Sequence, residues 1–277
     1  GVQRSRLHSK PQGLYNLEKL SIMKFNGRNV FIDPSASIGC DVRIGDNTTI
    51  YPNVVIGDRT VIANDCIIGE PLSTYYQEND YIQPQTTIGS DSLVRSHSII
   101  YASTTIGSHF SCGHRVTIRE ASNFGHHCRV GTLSDIQNDC RIGNHVWLHS
   151  SVFIGSTSQI DDFVFIYPNV VLTNDPLPPS NSLQGVTIKP FAQIGAGSRL
   201  LPGICVDEHS LIGANSLVTR NVESYSCVVG NPARHVKDVR EIKMDDGSDA
   251  YPWPFRFERG MPWEGIGFEQ WKAQNSL

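Results

Sequence analysis

Apolar residues recur at every sixth position through most of the chain. From Ile88 to Leu172 this spacing meets fifteen apolar residues in succession, with cysteine counted as a small hydrophobe. The same spacing runs from Ile32 to Ile68 and again from Ile188 to Val218. In the central run, the residue two places before each large one is small except at Phe110, and glycine often follows. The pattern predicts one short structural unit repeated every six residues.

Each unit fits a short β-strand followed by a tight corner. Positions two apart in a strand face the same side, so the small and the large apolar residue both point inward. The other positions carry Gly, Asn, Asp, Ser and His, which tolerate turns. About three units would close a triangular coil of about 18 residues, and stacked coils would bury a continuous core. The 28 units therefore predict an all-β parallel solenoid of about nine coils, because a helix needs apolar spacings of three and four.

Two segments interrupt the repeat. Residues 70–87 and 173–187 fall out of the six-residue register, and the repeat itself requires neither. Loops that leave a rigid scaffold often carry function, although neutral insertions would give the same pattern. We expect both segments to protrude from the solenoid.

These boundaries give a simple domain organisation. We expect an N-terminal segment at residues 1–29, a repeat domain at 30–218 and a C-terminal extension at 219–277. Met23 could serve as a natural start, which leaves open whether residues 1–22 are native. The functional argument therefore rests on the repeat domain and the extension.

Composition narrows the class of protein. The 277 residues carry a formal charge of −4 and only 18% charged side chains, whereas a nucleic-acid-binding protein is usually basic. Seven cysteines are too few for a disulfide scaffold of this length. No apolar run approaches the roughly 18 residues of a membrane span. We expect a cytoplasmic protein that binds neither nucleic acid nor a membrane.

The repeat and its ending resemble a known superfamily. Hexads of the form [LIV]-G-x-x-x-x close with Ile212-Gly-Ala-Asn-Ser-Leu-Val-Thr-Arg and then Val229-Gly-Asn-Pro-Ala-Arg, which is similar to the hexapeptide-repeat acyltransferase superfamily. The resemblance covers roughly residues 30–236. It implies a left-handed parallel β-helix, a homotrimer with its sites between subunits, and acyl transfer from acetyl-CoA with no metal.

Shorter motifs resemble a narrower group. I-G-E-P-x-x-x-Y-Y at 68–76, T-I-R-E at 117–120, S-D-I-Q at 134–137 and L-T-N-D-P-L-P-P-S at 172–180 look like segments of bacterial sugar acyltransferases. Those enzymes acylate nucleotide-linked amino sugars destined for surface polysaccharides such as O-antigen and lipopolysaccharide. The resemblance implies an N-acetyltransferase that uses such a sugar as its acceptor.

An absent histidine favours an amine acceptor. Many relatives carry a histidine in the loop after the aliphatic run that corresponds here to residues 169–172, where this chain has Thr173-Asn174-Asp175. A hydroxyl acceptor needs a base, whereas a sugar amine is partly unprotonated near neutral pH and is already nucleophilic. Asn174 or Asp175 would position the acceptor or take up its proton, unless the pair only forms a turn.

Register supplies further substrate-binding candidates. Residues 18 positions apart should stack in neighbouring coils, about 4.8 Å from one another. One such column, at the corner where the second loop departs, holds Glu120, Asn138, Ser156 and Asn174, and the adjacent column holds Arg119, Gln137 and Thr173, with Asp135 beside Gln137. We expect substrate to contact Glu120, Asp135, Gln137 and Asn138, although solvated corner residues would show the same spacing.

His149 is a separate catalytic candidate. It follows the inward Leu148 and matches a place where related sugar acetyltransferases carry a substrate-binding polar residue. An ordinary surface histidine is the alternative. With His149 as a base, the chain would instead be a saccharide O-acetyltransferase.

The resemblance places the thioester cofactor on the last coils. Ala196 and Ala214 are small residues beside which the pantetheine arm could lie. Thr219, Arg220 and Arg234 match places where relatives bind the nucleotide end, and arginine suits its phosphates. A charge that is solvated or that stabilises the trimer is the alternative for each arginine.

Two features lie outside this scheme. One corner should carry a stack of three histidines, His109, His127 and His145, with His114 nearby. Imidazoles can bind zinc, so a zinc-dependent hydratase is an alternative function, although ligands stacked in one ladder do not give the tetrahedral arrangement that zinc prefers.

The extension is dense in aromatic residues, which are costly to expose: Tyr251, Trp253, Phe255, Phe257, Trp263, Phe268 and Trp271. We expect them to pack against the solenoid or a neighbouring subunit, with nucleobase stacking as the alternative. A solenoid that only serves as a scaffold is the non-enzymatic alternative.

Overall fold

A computed structural model describes residues 25–275 of the chain. Residues 1–22, whose origin the sequence leaves open, lie outside the described range, as does Met23. Within that range the chain forms three parallel sheets that wrap around one core. Strands are only two to six residues long, as expected for a unit of six residues that includes a corner.

The three sheets are named here A, B and C. Sheet A has ten strands: β1 (Phe31–Ile32), β4 (Thr49–Ile50), β7 (Ile67–Glu70), β10 (Ile99–Tyr101), β13 (Thr117–Ile118), β16 (Asp135–Ile136), β19 (Phe153–Ile154), β22 (Val171–Leu172), β25 (Arg199–Leu200) and β28 (Leu217–Val218). Sheet B has nine: β2 (Ser37–Ile38), β5 (Val54–Ile56), β8 (Thr86–Ile88), β11 (Thr105–Ile106), β14 (Asn123–Phe124), β17 (Arg141–Ile142), β20 (Gln159–Ile160), β23 (Thr187–Ile188) and β26 (Cys205–Val206).

Sheet C has eleven strands: β3 (Arg43–Ile44), β6 (Val61–Ile62), β9 (Leu93–Val94), β12 (Ser111–Cys112), β15 (Arg129–Val130), β18 (Trp147–Leu148), β21 (Phe165–Ile166), β24 (Gln193–Ile194), β27 (Leu211–Ile212), β29 (Ser226–Gly230) and β30 (Ala233–Asp238). Strand β29 pairs in parallel with β27, and β30 then turns back antiparallel to β29. The antiparallel pair ends the stack of parallel coils.

The predicted solenoid is confirmed strand by strand. Each of the 28 large apolar positions lies in one of strands β1 to β28. Uninterrupted coils pair residues 18 apart, as Ile118 pairs with Ile136 and Ile136 with Ile154. Each coil visits sheets A, B and C in turn, so its corners are named A–B, B–C and C–A.

Corners turn through one residue in the left-handed region of backbone space. That residue follows the large apolar one by three places, as Asp139 does at φ 58° and His145 at φ 54°. The conformation strains most side chains, and Asn and Asp tolerate it best. Phe163 and Phe191 adopt it nevertheless, at φ 62° and 64°, and stack face to face with their rings 5.0 Å apart. Ring stacking along the corner offsets part of the strain.

Small polar residues of the repeat point into the core and remain hydrogen-bonded. Ser122 is fully buried, and its hydroxyl donates to the Gln137 carbonyl at 3.0 Å. Ser134 donates in the same way to the carbonyl of His149 at 3.0 Å. These bonds join adjacent coils at their corners and remove the cost of burying a hydroxyl.

Both interrupting loops leave the solenoid at the A–B corner. The first follows β7 and precedes β8, and it contains a short 3-10 helix at Ser73–Tyr76. The second follows β22 and precedes β23. Five coil steps of about 4.8 Å separate β7 from β22 along sheet A, so the loops stand about 24 Å apart on one edge.

The C-terminal tail, residues 242–275, packs against the outer face of sheet C. It includes a 3-10 helix at Trp253–Phe255 and helix α1 at Phe268–Asn275, and another 3-10 helix, Val239–Glu241, precedes it. Trp263 is fully buried, and the Trp253 indole donates to the Phe191 carbonyl at 2.9 Å. The expected packing on the solenoid is confirmed for six of the seven aromatic residues, whereas Phe255 remains 53% exposed. Within residues 25–275, no helix has both the length and the apolar character needed to cross a membrane.

Candidate functional site

The A–B corner carries a column of polar side chains between the two loops. Strands β13, β16, β19 and β22 are consecutive in sheet A, so Glu120, Asn138, Ser156 and Asn174 stack in that order along one edge. The Ser156 hydroxyl donates to Asn138 Oδ1 at 2.8 Å. The predicted column therefore exists, and its two middle members, Asn138 and Ser156, are in direct contact.

At the foot of the first loop, this column borders a cavity of about 480 Å³. Glu70, Tyr76, Tyr101, Arg119 and Glu120 are among its lining residues. The Arg119 guanidinium donates to both Glu120 oxygens at 2.8 Å, and it lies 5.2 Å from the centre of the Tyr101 ring. Tyr76 donates to Glu70 at 3.0 Å, and this bond raises the pKa of Tyr76 to about 12. The cavity thus presents two carboxylates, one of them neutralised by arginine.

Asp135 and Gln137 form the neighbouring part of the same edge. Gln137 Nε2 donates to Asp135 Oδ1 at 3.0 Å. Burial raises the pKa of Asp135, because the charged carboxylate is partly desolvated. Asp135 is therefore a better proton acceptor than a solvated aspartate would be, and the amide of Gln137 holds its orientation.

Asn174 and Asp175 begin the second loop and behave differently. The Asp175 carboxylate accepts from the Ser180 hydroxyl at 2.6 Å and from the backbone N–H groups of Ser180 and Leu177 at 2.8 and 3.0 Å. These bonds lower the pKa of Asp175, with the Ser180 hydroxyl as the largest cause, so its carboxylate is a weak base. It shapes the loop, which corresponds to the turn-forming alternative. The Asn174 side chain makes no hydrogen bond with any described residue.

His149 lies on the C–A corner, away from Asn174. Its ring stacks on Tyr167 with centroids 4.9 Å apart and planes 12° apart. Burial lowers the pKa of His149, which keeps the imidazole neutral at physiological pH. The width of sheet A, about 15 Å for five extended residues, separates this corner from the A–B corner. The three predicted catalytic residues are therefore not brought together within one chain.

The predicted cofactor residues fall into two groups. Thr219, Arg220 and Arg234 line one cavity of about 290 Å³ at the C-terminal end of the solenoid, together with His235. Ala196 and Ala214 lie on the C–A corner in successive coils, and Asn215 N–H donates to the Ala196 carbonyl at 2.8 Å. The alanines thus share a corner with His149, while the arginines lie at the solenoid end.

The histidine ladder is real and extends further than predicted. On the B–C corner, seven rings stack with centroid separations of 4.4 to 5.2 Å: His109, His127, His145, Phe163, Phe191, His209 and Tyr225. Parallel planes do not aim ring nitrogens at one point, as tetrahedral zinc requires. Among the residues described, no group of three or more His, Cys, Asp or Glu side chains is arranged to hold a metal ion.

Two site features were missed from the sequence. Glu70 and Tyr101 join the A–B corner, and counting units in threes would have found them, since their strands belong to sheet A with β13. A cavity of about 300 Å³ beside His149 contains Arg95 and Arg129. Their positions in the repeat place them on the same sheet as Leu148, so this grouping was also accessible from the register.

Comparison with known proteins agrees with the fold. A family profile described as bacterial transferase hexapeptide (six repeats) matches residues 27–58. Serine acetyltransferase of Bacillus subtilis (strain 168) is 34% identical over 104 residues, 37% of this chain and 47% of that protein. The dTDP-3-amino-3,6-dideoxy-alpha-D-galactopyranose 3-N-acetyltransferase of Aneurinibacillus thermoaerophilus is 43% identical over 47 residues, 17% of this chain and 24% of that protein. The chain spans less than half the length of either relative.

A solved structure matches over most of the chain. Arabidopsis UDP-N-acetylglucosamine acyltransferase superposes with a TM-score of 0.63 at 15% identity, covering 92% of this chain and 81% of that one. At this identity the match shows the fold alone.

Proposed function

We propose that this chain belongs to the hexapeptide-repeat superfamily and transfers an acetyl group from acetyl-CoA to the amino group of a nucleotide-linked amino sugar. The observation that carries the proposal is the A–B corner between the two loops. It stacks amide, hydroxyl and carboxylate groups from Glu120 to Asn174, and within the described residues it holds no histidine. Such groups can orient a sugar, while the acceptor itself must supply the nucleophile.

An amine acceptor meets that requirement. Its neutral form attacks the thioester carbonyl, the C–N bond forms, and the C–S bond breaks as the tetrahedral intermediate collapses. The ammonium proton passes to the departing thiolate of CoA, so no protein base is required. Hydrogen-bond donors such as the Asn138 amide nitrogen stabilise the developing oxyanion or the sugar hydroxyls. The sugar N-acetyltransferase that shares 43% identity over 47 residues supports this acceptor class.

The donor would approach from the C-terminal coils. Pantetheine would lie beside Ala196 and Ala214, whose small side chains leave the C–A corner open. The cavity with Arg220 and Arg234 would hold the phosphates of the nucleotide end. In that arrangement the thioester points back along the C–A corner toward His149.

A homotrimer would unite the two corners. If the threefold axis of the trimer runs parallel to the solenoid axis, groups at the same position along that axis meet across the interface. Three consecutive coils carry the A–B corner residues Glu120, Asn138 and Ser156. Arg129 and His149, on sheet C and its edge, lie between them in the chain and therefore at similar positions along the solenoid axis. We place the acceptor between the A–B corner of one subunit and the C–A corner of the next.

A paired-acceptor assay tests the proposal. Purified chain is incubated with acetyl-CoA and nucleotide amino sugars, each matched with the nucleotide sugar that carries a hydroxyl in place of the amine. Release of thiol is followed, with the reaction lacking acceptor as baseline because Cys40 is exposed and free. We expect release only with amino sugars. Equal release with the hydroxyl partners would overturn the amine preference, and no release with any acceptor would favour a scaffold.

O-acetylation of a saccharide is the second candidate. The neutral, half-buried imidazole of His149, held by Tyr167, has the properties of a general base for a hydroxyl acceptor. Replacing His149 with Asn separates the two reactions. Loss of transfer by about a hundredfold or more would support a catalytic base, whereas a change below about tenfold would support direct attack by an amine.

A further inference from the structure

A cluster of cationic side chains beside His149 has no role in the reaction described so far. Arg95 and Arg129 converge on the cavity of about 300 Å³ on sheet C, whose lining also includes Trp147, His149 and Ser150. We name this cavity the arginine groove. Two glycines, Gly113 and Gly131, occupy the corner positions between Arg95 and His149, so no side chain blocks the groove there.

Neither guanidinium in the groove forms a salt bridge with a described residue. Within residues 25–275, the side chains of Arg95 and Arg129 also donate no hydrogen bond. By contrast, Arg59, Arg119 and Arg240 are each paired with a carboxylate. Charged groups of the tail face Arg129 from the other side, where Arg259 adds positive charge and Glu264 offsets it. The groove is therefore cationic in a chain whose net charge is −4.

Arg129 is held in place by a ring and is not paired with a carboxylate. The Arg129 guanidinium lies 4.0 Å from the centre of the Trp147 ring, with one terminal nitrogen beside Gly260 of the tail, and it donates no hydrogen bond to any described residue. Trp147 is itself buried beneath the tail and packs on Phe257 and Phe165. Arg95 and Arg129 start two coils apart, about 10 Å along the axis, and meet in one cavity. Two separated guanidiniums match a ligand with two linked anionic groups better than a single anion.

We propose that the arginine groove binds the diphosphate of the acceptor, so that Arg95 and Arg129 fix a nucleoside diphosphate and present its sugar beside His149. This inference rests on the proposed function. The alternative source of a diphosphate, CoA, enters from the other side: Ala196 and Ala214 lie beyond His149 toward the C-terminus, and the groove lies before it. Donor and acceptor would then approach one point along the C–A corner from opposite ends.

Binding of dTDP, UDP and inorganic pyrophosphate to the full chain tests the groove without catalysis. The variants are Arg95→Gln and Arg129→Gln, with Arg141→Gln as matched control. Arg141 occupies the same place in its hexad as Arg129 and is also exposed, but it lies on sheet B near Asp161 and Asp162. We expect each groove variant to weaken binding about tenfold and the control to bind normally. Unchanged binding in both groove variants, with normal thermal unfolding, would overturn the proposal.

Kinetics distinguish the two sources of diphosphate and the two levels of inference. In the transfer assay, the groove variants should raise KM for the nucleotide sugar about tenfold and leave KM for acetyl-CoA unchanged. The reverse pattern would assign the groove to CoA and contradict the proposal. If the wild-type chain acetylates nothing yet binds dTDP through both arginines, the groove stands and the proposed function fails. If it acetylates sugars but neither arginine affects KM, the groove fails and the function stands.

Discussion

Ser156 and Asn138, eighteen residues apart in the chain, are joined by a 2.8 Å hydrogen bond from the Ser156 hydroxyl to Asn138 Oδ1. The bond runs between adjacent coils and engages the oxygen of the Asn138 side-chain amide, which sets the orientation of that amide. Its nitrogen makes no hydrogen bond with any described residue, so a donor group remains at the middle of the A–B corner. A ligand on this edge would therefore find a donor whose orientation is already set.

Replacing Asn138 with Ala should weaken use of the acceptor. Loss of an oriented donor should lower kcat/KM for the nucleotide amino sugar about tenfold or more and leave KM for acetyl-CoA within twofold. Steady-state kinetics with each substrate varied in turn measure both values. Asn123→Ala, at an exposed position on β14 of sheet B, is the control and should behave as wild type. Equal kinetics for the two variants would remove the A–B corner from the acceptor site.

Mixed oligomers should regain activity if the site spans two subunits. An Asn138→Ala subunit keeps an intact C–A corner, and an Arg129→Gln subunit keeps an intact A–B corner. When the two are denatured and refolded together in equal amounts, about one interface in four would combine both intact corners. We expect about a quarter of wild-type activity from the mixture, far above that of either variant alone. Activity no greater than the mean of the two variants would place the whole site within one chain.

The repeat could be predicted because the sequence carries it at every turn. Core packing requires an apolar residue at each inward position. The spacing of Ile118, Ile136 and Ile154 therefore indicates the register before any contact is known. The A–B column followed from the same counting. Resemblance to functional positions suggests both His149 and Asn174 as catalytic residues, whereas the register places them on different corners.

The contacts of the C-terminal tail could not be predicted from the sequence. Its aromatic density predicted burial, but not that Trp253 would bond to the Phe191 carbonyl or that Trp263 would be fully covered. The Trp253 bond joins residues 62 positions apart, and neither contact follows a periodic pattern, because both depend on the shape of the sheet C surface. Phe163 and Phe191 occupy left-handed corners that strain bulky side chains, and the stacking of their rings between coils offsets that strain.

Phe110 and Cys112 exchange the usual sizes of the two inward positions. Phe110 stands where the repeat has a small residue, Cys112 stands where it has a large one, and both are buried. We expect Phe110→Ala to lower the unfolding free energy by about 3–5 kcal/mol, because a cavity forms against Phe124. Adding Cys112→Ile should restore a large part of the lost unfolding free energy, because the larger side chain fills space in the core of the same coil. Urea unfolding of wild type, both single variants and the double variant measures this coupling, and additive losses would contradict it.

Acid should loosen the contact between the tail and the B–C corner. Burial lowers the pKa of both His145 and His209 to about 4, and the Nδ1 atom of each is buried without a hydrogen-bond partner among the described residues. Titratable groups facing them are Asp162, His126 and His127 for His145, and Lys272 of the tail for His209. Since both folded pKa values lie below the ordinary one, the stabilisation is complete above about pH 6.5 and is lost as pH falls toward 4.

A ladder variant isolates these two histidines from the other acid-sensitive groups. His145→Phe with His209→Phe copies the residues that already occupy this corner at Phe163 and Phe191. Wild type should lose about 2 kcal/mol more unfolding free energy than this variant between pH 7 and pH 5, because both rings are partly exposed and solvent screens part of the effect. Urea unfolding followed by tryptophan fluorescence monitors the aromatic cluster of the tail. The control, His235→Phe, changes an exposed histidine outside the ladder and should keep the wild-type pH dependence. An undiminished acid loss in the ladder variant would assign it to carboxylates instead.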